Sequence, residues 1–100
     1  MANEGSERSI QGSITVSSGT GELSLTPIWL NARWVRIKPV AESDTYDVTI
    51  ADGDGILIVS RTGQTGTLSE QLGISLGIAK TITIANAAQD GTYLVRLDPH

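Results

Sequence analysis

The stretch TIADGDGILIVS, at residues 49–60, places an Asp-Gly-Asp-Gly sequence between two apolar runs. An Asp-Gly pair between such runs is among the strongest short-range signals for a β-hairpin. Apolar residues occupy alternate positions of 45–51, which predicts a strand with one buried face. Residues 56–60 are apolar on both faces, which predicts a central strand. We expect Gly53 and Gly55 to supply positive φ and the aspartates to keep the tip of the turn solvated.

The same alternation predicts further strands on either side of this hairpin. They are expected at residues 10–16, around Leu23 and Leu25, and at 33–38, 78–84 and 92–97. Six to eight short strands at regular spacing predict an all-β fold, a single antiparallel β-sandwich of the jelly-roll or Ig-like type. It is expected to span residues 10–98, after a flexible or partner-bound N-terminal arm at residues 1–9.

Residues 62–77 read TGQTGTLSEQLGISLG and are punctuated by glycine. Within them, Thr67 to Glu70 match a helical capping box, and Gly73 could end a helical turn. The segment is therefore either one short helical turn near Leu68–Leu72, the most helix expected anywhere in the chain, or an irregular loop with two core leucines.

Composition argues against several classes of protein. The chain has 100 residues, which suggests one domain, and no cysteine, which excludes disulfides and thiolate metal sites. Its formal net charge is −4 and its seven basic residues are scattered, so the footprint of a nucleic-acid-binding protein is missing. No apolar stretch is long enough to cross a bilayer, and the polar N-terminus does not resemble a signal peptide or a membrane anchor. We expect no nucleic-acid or membrane partner.

Asp52 and Asp54 are the densest candidates for metal binding or acid catalysis. An EF-hand loop beginning at Asp52 needs Glu at its twelfth position, which here is Gly63. Asp47 lies five residues earlier along an extended strand, about 16 Å away at about 3.3 Å per residue. A glycosidase pair needs two carboxyls in a cleft with divergent pKa values, whereas both aspartates are expected at an exposed hairpin tip. The residues therefore favour a turn, with no metal site and no catalytic pair.

Nucleophilic catalysis and phosphate binding find no support either. The single histidine, His100, follows Pro99 at the last position, where a triad base would not be held rigidly. The glycines of 63–66 and 73–77 are not followed by the Lys-Ser/Thr of a phosphate-binding loop. We expect a protein that is not an enzyme and uses no cofactor.

Binding through aromatic residues is the remaining chemistry. Trp29 and Trp34 could stack on a sugar ring, or could fill the core of a chain that has no Phe. Trp34 shares a strand face with Arg36 and Lys38, and Trp and Arg are enriched in protein interfaces. Alternatively, Trp34 covers an open end of the sandwich. The residues proposed for a protein interface are Trp29, Trp34, Arg36, Lys38, Arg61 and Gln64.

Two segments, TYDVTIADGDGILIVSRTGQTGTLSEQL and ITIANAAQDGTYLVRL, resemble a type of small β-sandwich protein encoded among the structural genes of tailed bacteriophages. The likeness lies within residues 45–97, and its most specific part is RTGQTGTL. It implies a virion component without enzyme activity or cofactor. Such proteins serve as capsid decoration or cement proteins, at the head–tail junction, or on tails.

This resemblance sets the functional expectation. The chain is expected to be a capsid decoration or cement protein that binds adjacent subunits of the major capsid protein. It is expected to form a homodimer or homotrimer and to reside in a virion assembled in the host cytoplasm, with the arm at residues 1–9 reaching a neighbouring subunit. A head–tail junction or tail accessory protein and a carbohydrate-binding β-sandwich module are the alternatives.

Overall fold

Eight β-strands and no helix make up the described part of the chain. The structure, a computed structural model, describes residues 10–24, 34–71 and 79–98. The predicted arm at residues 1–9 and the residues around Trp29 lie outside these ranges. The strands are β1 Ile10–Val16, β2 Gly21–Ser24, β3 Trp34–Lys38, β4 Thr45–Asp52, β5 Leu57–Thr65, β6 Leu68–Gln71, β7 Ala79–Ala85 and β8 Gly91–Asp98. In these same ranges, no helix has the length and hydropathy needed to span a membrane.

The strands form two four-stranded antiparallel sheets with the orders β1-β8-β3-β6 and β2-β7-β4-β5. The partners are nested along the chain, because β1 pairs with β8, β2 with β7, β3 with β6 and β4 with β5. This is the arrangement of a jelly roll, in which a long double strand of chain folds over into two facing sheets. The predicted antiparallel sandwich is confirmed, and the strand order assigns it to the jelly-roll type rather than the Ig-like type.

The core lies between the two sheets and is built by alternation along the strands. In β8, Tyr93, Val95 and Leu97 are buried while Leu94 and Arg96 are exposed. This period of two is what the sequence predicts for a strand with one buried face. The buried apolar residues are Ile14, Val16, Val35, Ile37, Tyr46, Val48, Ile50, Val59, Leu68, Ile82, Ile84, Tyr93, Val95 and Leu97.

Two tyrosine rings join the sheets at the centre of the core. Tyr46 in β4 and Tyr93 in β8 meet edge to face, with ring centroids 5.3 Å apart and ring planes at 88°. Tyr46 Oη donates a 2.7 Å hydrogen bond to the carbonyl oxygen of Gly66, so its buried hydroxyl has a partner. Burial raises the pKa of Tyr46 to about 12. The ring of Tyr46 is therefore held both by packing and by a hydrogen bond.

The Asp-Gly-Asp-Gly hairpin is confirmed, but its second strand lies at a sheet edge. β5 is the outermost strand beside β4 and extends to Thr65. Ile56 and Leu57 are 64% and 55% exposed. The prediction of a central strand at 56–60 is therefore wrong. A central strand has a neighbouring strand on each side, whereas β5 has β4 as its single neighbour in the sheet. A short apolar run therefore does not by itself show that a strand is central.

Residues 68–71 form the strand β6, where the sequence predicts a helical turn or an irregular loop. Leu72 and Gly73, the rest of that prediction, lie outside the described residues. β6 pairs with β3, and Leu68 is buried in the core. The side chains that suggested a capping box have other partners. The Thr67 hydroxyl donates a hydrogen bond to Glu42, and the Glu70 carboxylate forms an ion pair with Arg61 of β5. The strand is favoured over a helical turn because pairing with β3 satisfies the hydrogen-bonding groups of the β6 backbone and buries Leu68.

The loops β1–β2, β3–β4, β5–β6 and β7–β8 meet at one end of the sandwich. We call this the capped end, and its residues are 17–20, 39–44, 66–67 and 86–90. Backbone hydrogen bonds join the loops: Ala87 N–H donates to the Gly19 carbonyl oxygen at 3.0 Å, and Gly66 N–H donates to that of Asp44 at 3.0 Å. The β4–β5 turn lies at the opposite end.

Candidate interaction face

The outward face of the β1-β8-β3-β6 sheet carries three of the residues predicted for an interface. Alternation along β3 buries Val35 and Ile37, so Trp34, Arg36 and Lys38 point away from the core. Trp34 is half-buried and the two cations are exposed. The structure therefore brings these three predicted residues together on one surface.

The strand register adds residues from the neighbouring strands to this surface. Arg36 lies between Arg96 of β8 and Ser69 of β6, and Lys38 lies opposite Leu94 of β8. Gln11 of β1 continues the row on the other side of Arg96. We call this surface the basic face, and its residues are Gln11, Trp34, Arg36, Lys38, Leu94, Arg96 and Asp98.

Asp98 holds the two arginines of the basic face side by side. Arg96 Nε donates a 3.0 Å hydrogen bond to Asp98 Oδ1, and Arg36 Nε lies 3.8 Å from Asp98 Oδ2. The Asp98 side chain is 14% exposed, whereas those of Arg36 and Arg96 are 51% and 49% exposed. Among the described residues, this cluster holds two arginines and one mostly buried carboxylate, and Lys38 lies beside it on β3.

An open depression of about 330 Å³ lies on the basic face. Leu94 lines it and is 53% exposed, so it offers an aliphatic surface to a ligand. The other lining residues are Gln11, Gly12, Arg36, Lys38, Thr67, Val95 and Arg96. The depression thus combines an aliphatic side chain with amide, hydroxyl and cationic groups.

The other three predicted interface residues are not on the basic face. Arg61 and Gln64 lie on the edge strand β5, and Trp29 lies outside the described residues. Arg61 Nε donates a 2.8 Å hydrogen bond to Glu70 Oε1 of β6, so this ion pair bridges the two sheets at their open edge. Gln64 Nε2 donates a 3.2 Å hydrogen bond to the carbonyl oxygen of Thr65. In the folded chain, both side chains make internal contacts.

Sequence reasoning did not select Gln11, Leu94 and Arg96 as interface candidates. The alternation that exposes Leu94 and Arg96 is visible in the sequence of the last strand. Their position beside Arg36 depends on the pairing of β8 with β3, which alternation does not specify. The available signal was the pair of large or charged side chains on the outward face of that strand.

The Asp52 carboxylate stabilises the β4–β5 turn from within. Asp52 Oδ1 accepts hydrogen bonds from the backbone N–H groups of Asp54 at 2.9 Å and of Ile56 at 3.0 Å. Gly55 has the expected positive φ, +83°, whereas Gly53 does not. Over residues 10–24, 34–71 and 79–98, no group of three or more His, Cys, Asp or Glu residues is placed to hold a metal ion.

Carboxylates tie the loops of the capped end. Asp90 accepts hydrogen bonds from the backbone N–H groups of Ser18 and Gly19, both at 2.9 Å. Asp44 accepts one from Ala41 N–H at 2.8 Å. Short polar side chains commonly close loops in this way, by taking up backbone donors that no strand satisfies.

Two further carboxylates near the capped end have lowered pKa values. Glu42 accepts hydrogen bonds from the Thr67 hydroxyl at 2.6 Å and from its N–H at 2.8 Å. Asp47 accepts from Asn86 Nδ2 and from Gly63 N–H, both at 2.8 Å. The Thr67 hydroxyl is the main group that lowers the pKa of Glu42, and the Asn86 amide is the main group that lowers that of Asp47. Each bond favours the charged carboxylate.

The double variant Glu42→Gln/Asp47→Asn is expected to be less stable at neutral pH and less sensitive to acid. Both pKa values are depressed in the folded state, so these carboxylates stabilise the fold fully above their ordinary values of 4.5 and 3.8. That contribution disappears as the pH falls through the lower folded values. The melting temperature of the variant is therefore expected to lie below that of the wild type at about pH 7. This difference is expected to disappear as the pH is lowered to about 2.

The variant Asp54→Asn serves as the control, because Asp54 is exposed at the tip of the β4–β5 turn. It is expected to follow the wild-type curve. A gap for the double variant that is as wide at low pH as at neutral pH would contradict the assignment.

Comparisons with known proteins assign no family to this chain. No protein-family model matches it, and no curated protein does. Among solved structures, the core of Drosophila NLP, described for its pentamer formation and histone binding, has a TM-score of 0.42 and 14% identity, covering 91% of this chain and 96% of that one. An RmlC-like cupin protein from Desulfovibrio desulfuricans has a TM-score of 0.31 and 12% identity, covering 92% and 83%. These likenesses are too low to assign a function.

Proposed function

We propose that this chain is a structural protein of a bacteriophage virion, without enzymatic activity, that binds adjacent capsid subunits and stabilises the head. The observation that carries the proposal is the basic face, where a tryptophan, an exposed leucine and three cations share one outward sheet surface. Trp and Arg are the residues most enriched where interfaces gain their binding energy. The resemblance of residues 45–97 to small virion proteins supplies the class of partner.

The roles of the carboxylates support a structural protein over a catalyst. Acids at the capped end and in the β4–β5 turn accept hydrogen bonds from backbone N–H groups. Loops held in this way lose little freedom on binding, so a preorganised domain attaches to a partner at low entropic cost. We propose the major capsid protein as that partner, with a dimer or trimer of this chain as the bound unit.

The variant Arg36→Gln/Lys38→Gln is expected to bind virions about tenfold to a hundredfold more weakly than the wild type. Each lost cationic contact in an interface removes about 1 kcal/mol or more, and about 1.4 kcal/mol is a factor of ten. The measurement is the occupancy of virions lacking the chain, titrated with purified protein. The matched control is Ser60→Glu/Thr62→Glu, which changes the net charge equally at exposed positions of β5.

Several outcomes separate this proposal from its rivals. An equal loss in the Ser60 and Thr62 control would assign the effect to net charge, and an unchanged occupancy of the Arg36 and Lys38 variant would rule out the basic face. Binding lost only in a folded Trp34→Ala variant, and inhibited by free sugars, would favour a carbohydrate-binding module.

The copy number in purified virions decides the location. A number on the scale of the capsid lattice supports a decoration protein, whereas one on the scale of the symmetry of the tail supports a head–tail junction or tail protein. Virions that contain none of the chain would overturn the proposal altogether.

A further inference from the structure

We propose that the basic face receives an extended, acidic segment of the partner protein, in which a carboxylate and an apolar side chain stand two residues apart. The inference rests on the proposed function for the existence of a partner. It adds the chemistry of the segment that docks and the spacing of the groups that recognise it.

The distribution of charge is the first argument. Three cations lie on the basic face, Arg36, Lys38 and Arg96, and the first and last of them share Asp98. The chain as a whole carries a formal net charge of −4. A surface that gathers positive charge attracts acidic partners.

Arg36 is suited to bind a carboxylate. Its side chain is about half exposed, and Arg36 Nε lies 3.8 Å from Asp98 Oδ2, which is beyond hydrogen-bond distance. The exposed part of the Arg36 guanidinium can therefore meet a ligand carboxylate while its ion pair with Asp98 is kept. A guanidinium matches a carboxylate with two parallel hydrogen bonds, and Lys38 on the same strand extends the positive potential.

The register places an apolar contact at a defined distance from Arg36. Arg96 lies beside Arg36, and Leu94, two residues earlier in β8, lies beside Lys38. Side chains two residues apart on a strand are separated by about 6.7 Å. Leu94 is a diagonal neighbour of Arg36 on the adjacent strand, about 7–8 Å away. An extended segment repeats its side chains at nearly this spacing, so a carboxylate bound at Arg36 places the side chain two residues along beside Leu94. The depression beside Leu94 gives that side chain room.

A second copy of this chain fits the basic face less well. On its described strands, no outward carboxylate has an apolar side chain two residues away on the same face. The outward neighbours at that distance are Thr20 and Ser24 for Glu22, Thr45 and Thr49 for Asp47, and Arg96 for Asp98. The exposed pairs with this spacing, Val40 with Glu42 and Asp54 with Ile56, lie in turns and not in extended strands. An extended occupant is therefore better supplied by a different protein.

The test uses the purified full chain and a synthetic peptide, acetyl-Thr-Glu-Thr-Leu-Thr-Glu-Thr-amide. Its glutamates and leucine alternate, so all three share one face when it is extended. We expect binding of about millimolar affinity that weakens as salt is added, with shifts of the backbone amide signals of Arg36, Leu94 and Arg96 in NMR spectra. Arg36→Gln/Lys38→Gln is expected to abolish these shifts, and Ser60→Glu/Thr62→Glu to preserve them.

Two control peptides test charge and spacing separately. One replaces both glutamates by glutamine, and the other, acetyl-Thr-Thr-Glu-Leu-Glu-Thr-Thr-amide, keeps the composition but places the acids on the face opposite the leucine. Both are expected to bind at least about fivefold more weakly, since about 1 kcal/mol of contact is lost. Equal binding of the respaced peptide overturns the spacing argument and reduces the face to a general anion-binding surface.

Failure here is distinguishable from failure of the proposed function. No shift at about 10 mM peptide, with virion binding still lost in Arg36→Gln/Lys38→Gln, overturns the acidic segment and leaves the virion role in place. Peptide binding by a chain that does not bind virions supports the recognition chemistry and rejects the virion partner. Self-association that shifts the same three amide signals, or shifts caused by a DNA duplex and not by the peptide, overturns the proposal in favour of that occupant.

Discussion

Tyr46→Ala is expected to lower the free energy of unfolding by about 3–5 kcal/mol, the usual cost of truncating a large buried aromatic side chain. Tyr46 is 1% exposed and meets Tyr93 of the opposite sheet edge to face. Its removal leaves a cavity between the sheets and an unpaired carbonyl oxygen at Gly66. Since domains of this size are stable by about 5–15 kcal/mol, we expect the variant to unfold at a much lower urea concentration than the wild type.

Tyr46→Phe separates the hydrogen bond from the ring. It keeps the aromatic contact and removes the 2.7 Å bond to the Gly66 carbonyl oxygen, so a loss of about 1–2 kcal/mol is expected. Tyr93→Phe is the matched control, because Tyr93 Oη lies 3.4 Å from the Gln89 carbonyl oxygen at a partly buried site and contributes little. Equal losses for the two Phe variants in urea unfolding would contradict this division.

Gly21→Ala is expected to destabilise the fold by about 3 kcal/mol, at the upper end of the cost of overpacking. β1 and β2 belong to different sheets, so the chain crosses between the sheets at the turn that precedes Gly21. A Cβ at this position would collide with the carbonyl oxygen of Thr15 and lie 2.9 Å from Ile14 Cγ2. The first of these is backbone, so relief requires moving β1 itself.

Gly12→Ala is the control for this prediction, because Gly12 is also a glycine at the β1–β2 contact. A Cβ at Gly12 would lie 3.1 Å from Leu23 Cδ2, and a leucine side chain can rotate away. A loss below about 1 kcal/mol is expected. If thermal or urea unfolding gives the two alanine variants the same stability, the close approach of the backbones at Gly21 is not what limits the site.

Alternation within a strand was predictable from the sequence, while the neighbours of a strand were not. The buried face of β8 and the hairpin at the Asp-Gly-Asp-Gly turn follow from local pattern. The exposure of Ile56 and of Leu57, the first residue of β5, does not, because position at the edge of a sheet is decided by which strands pair. The same holds for β6. The capping-box pattern at Thr67–Glu70 predicts a helical turn, but pairing with β3 makes Leu68 part of a strand.

The candidate site follows the same division. Trp34, Arg36 and Lys38 share a face by the period of two within one strand, and the sequence predicts that directly. Leu94 and Arg96 join them through the pairing of β3 with β8, which is a contact between distant parts of the chain. Arg61 faces Glu70 across the open edge of two different sheets, so no strand pattern places it away from the basic face.

The nested pairing of the strands also sets the order in which the chain can close on itself while folding. β4 and β5 are consecutive, so their hairpin closes the shortest loop and costs the least chain entropy. The next pairs outward are β3 with β6 and β2 with β7. Each loses less chain entropy on closing once the pair inside it has formed. The outermost pair joins Ile10 to Leu97, and such sequence-distant contacts make β-sandwiches slow to fold. The Asp-Gly-Asp-Gly turn is therefore where we expect folding to begin, and β1 is the strand that completes it.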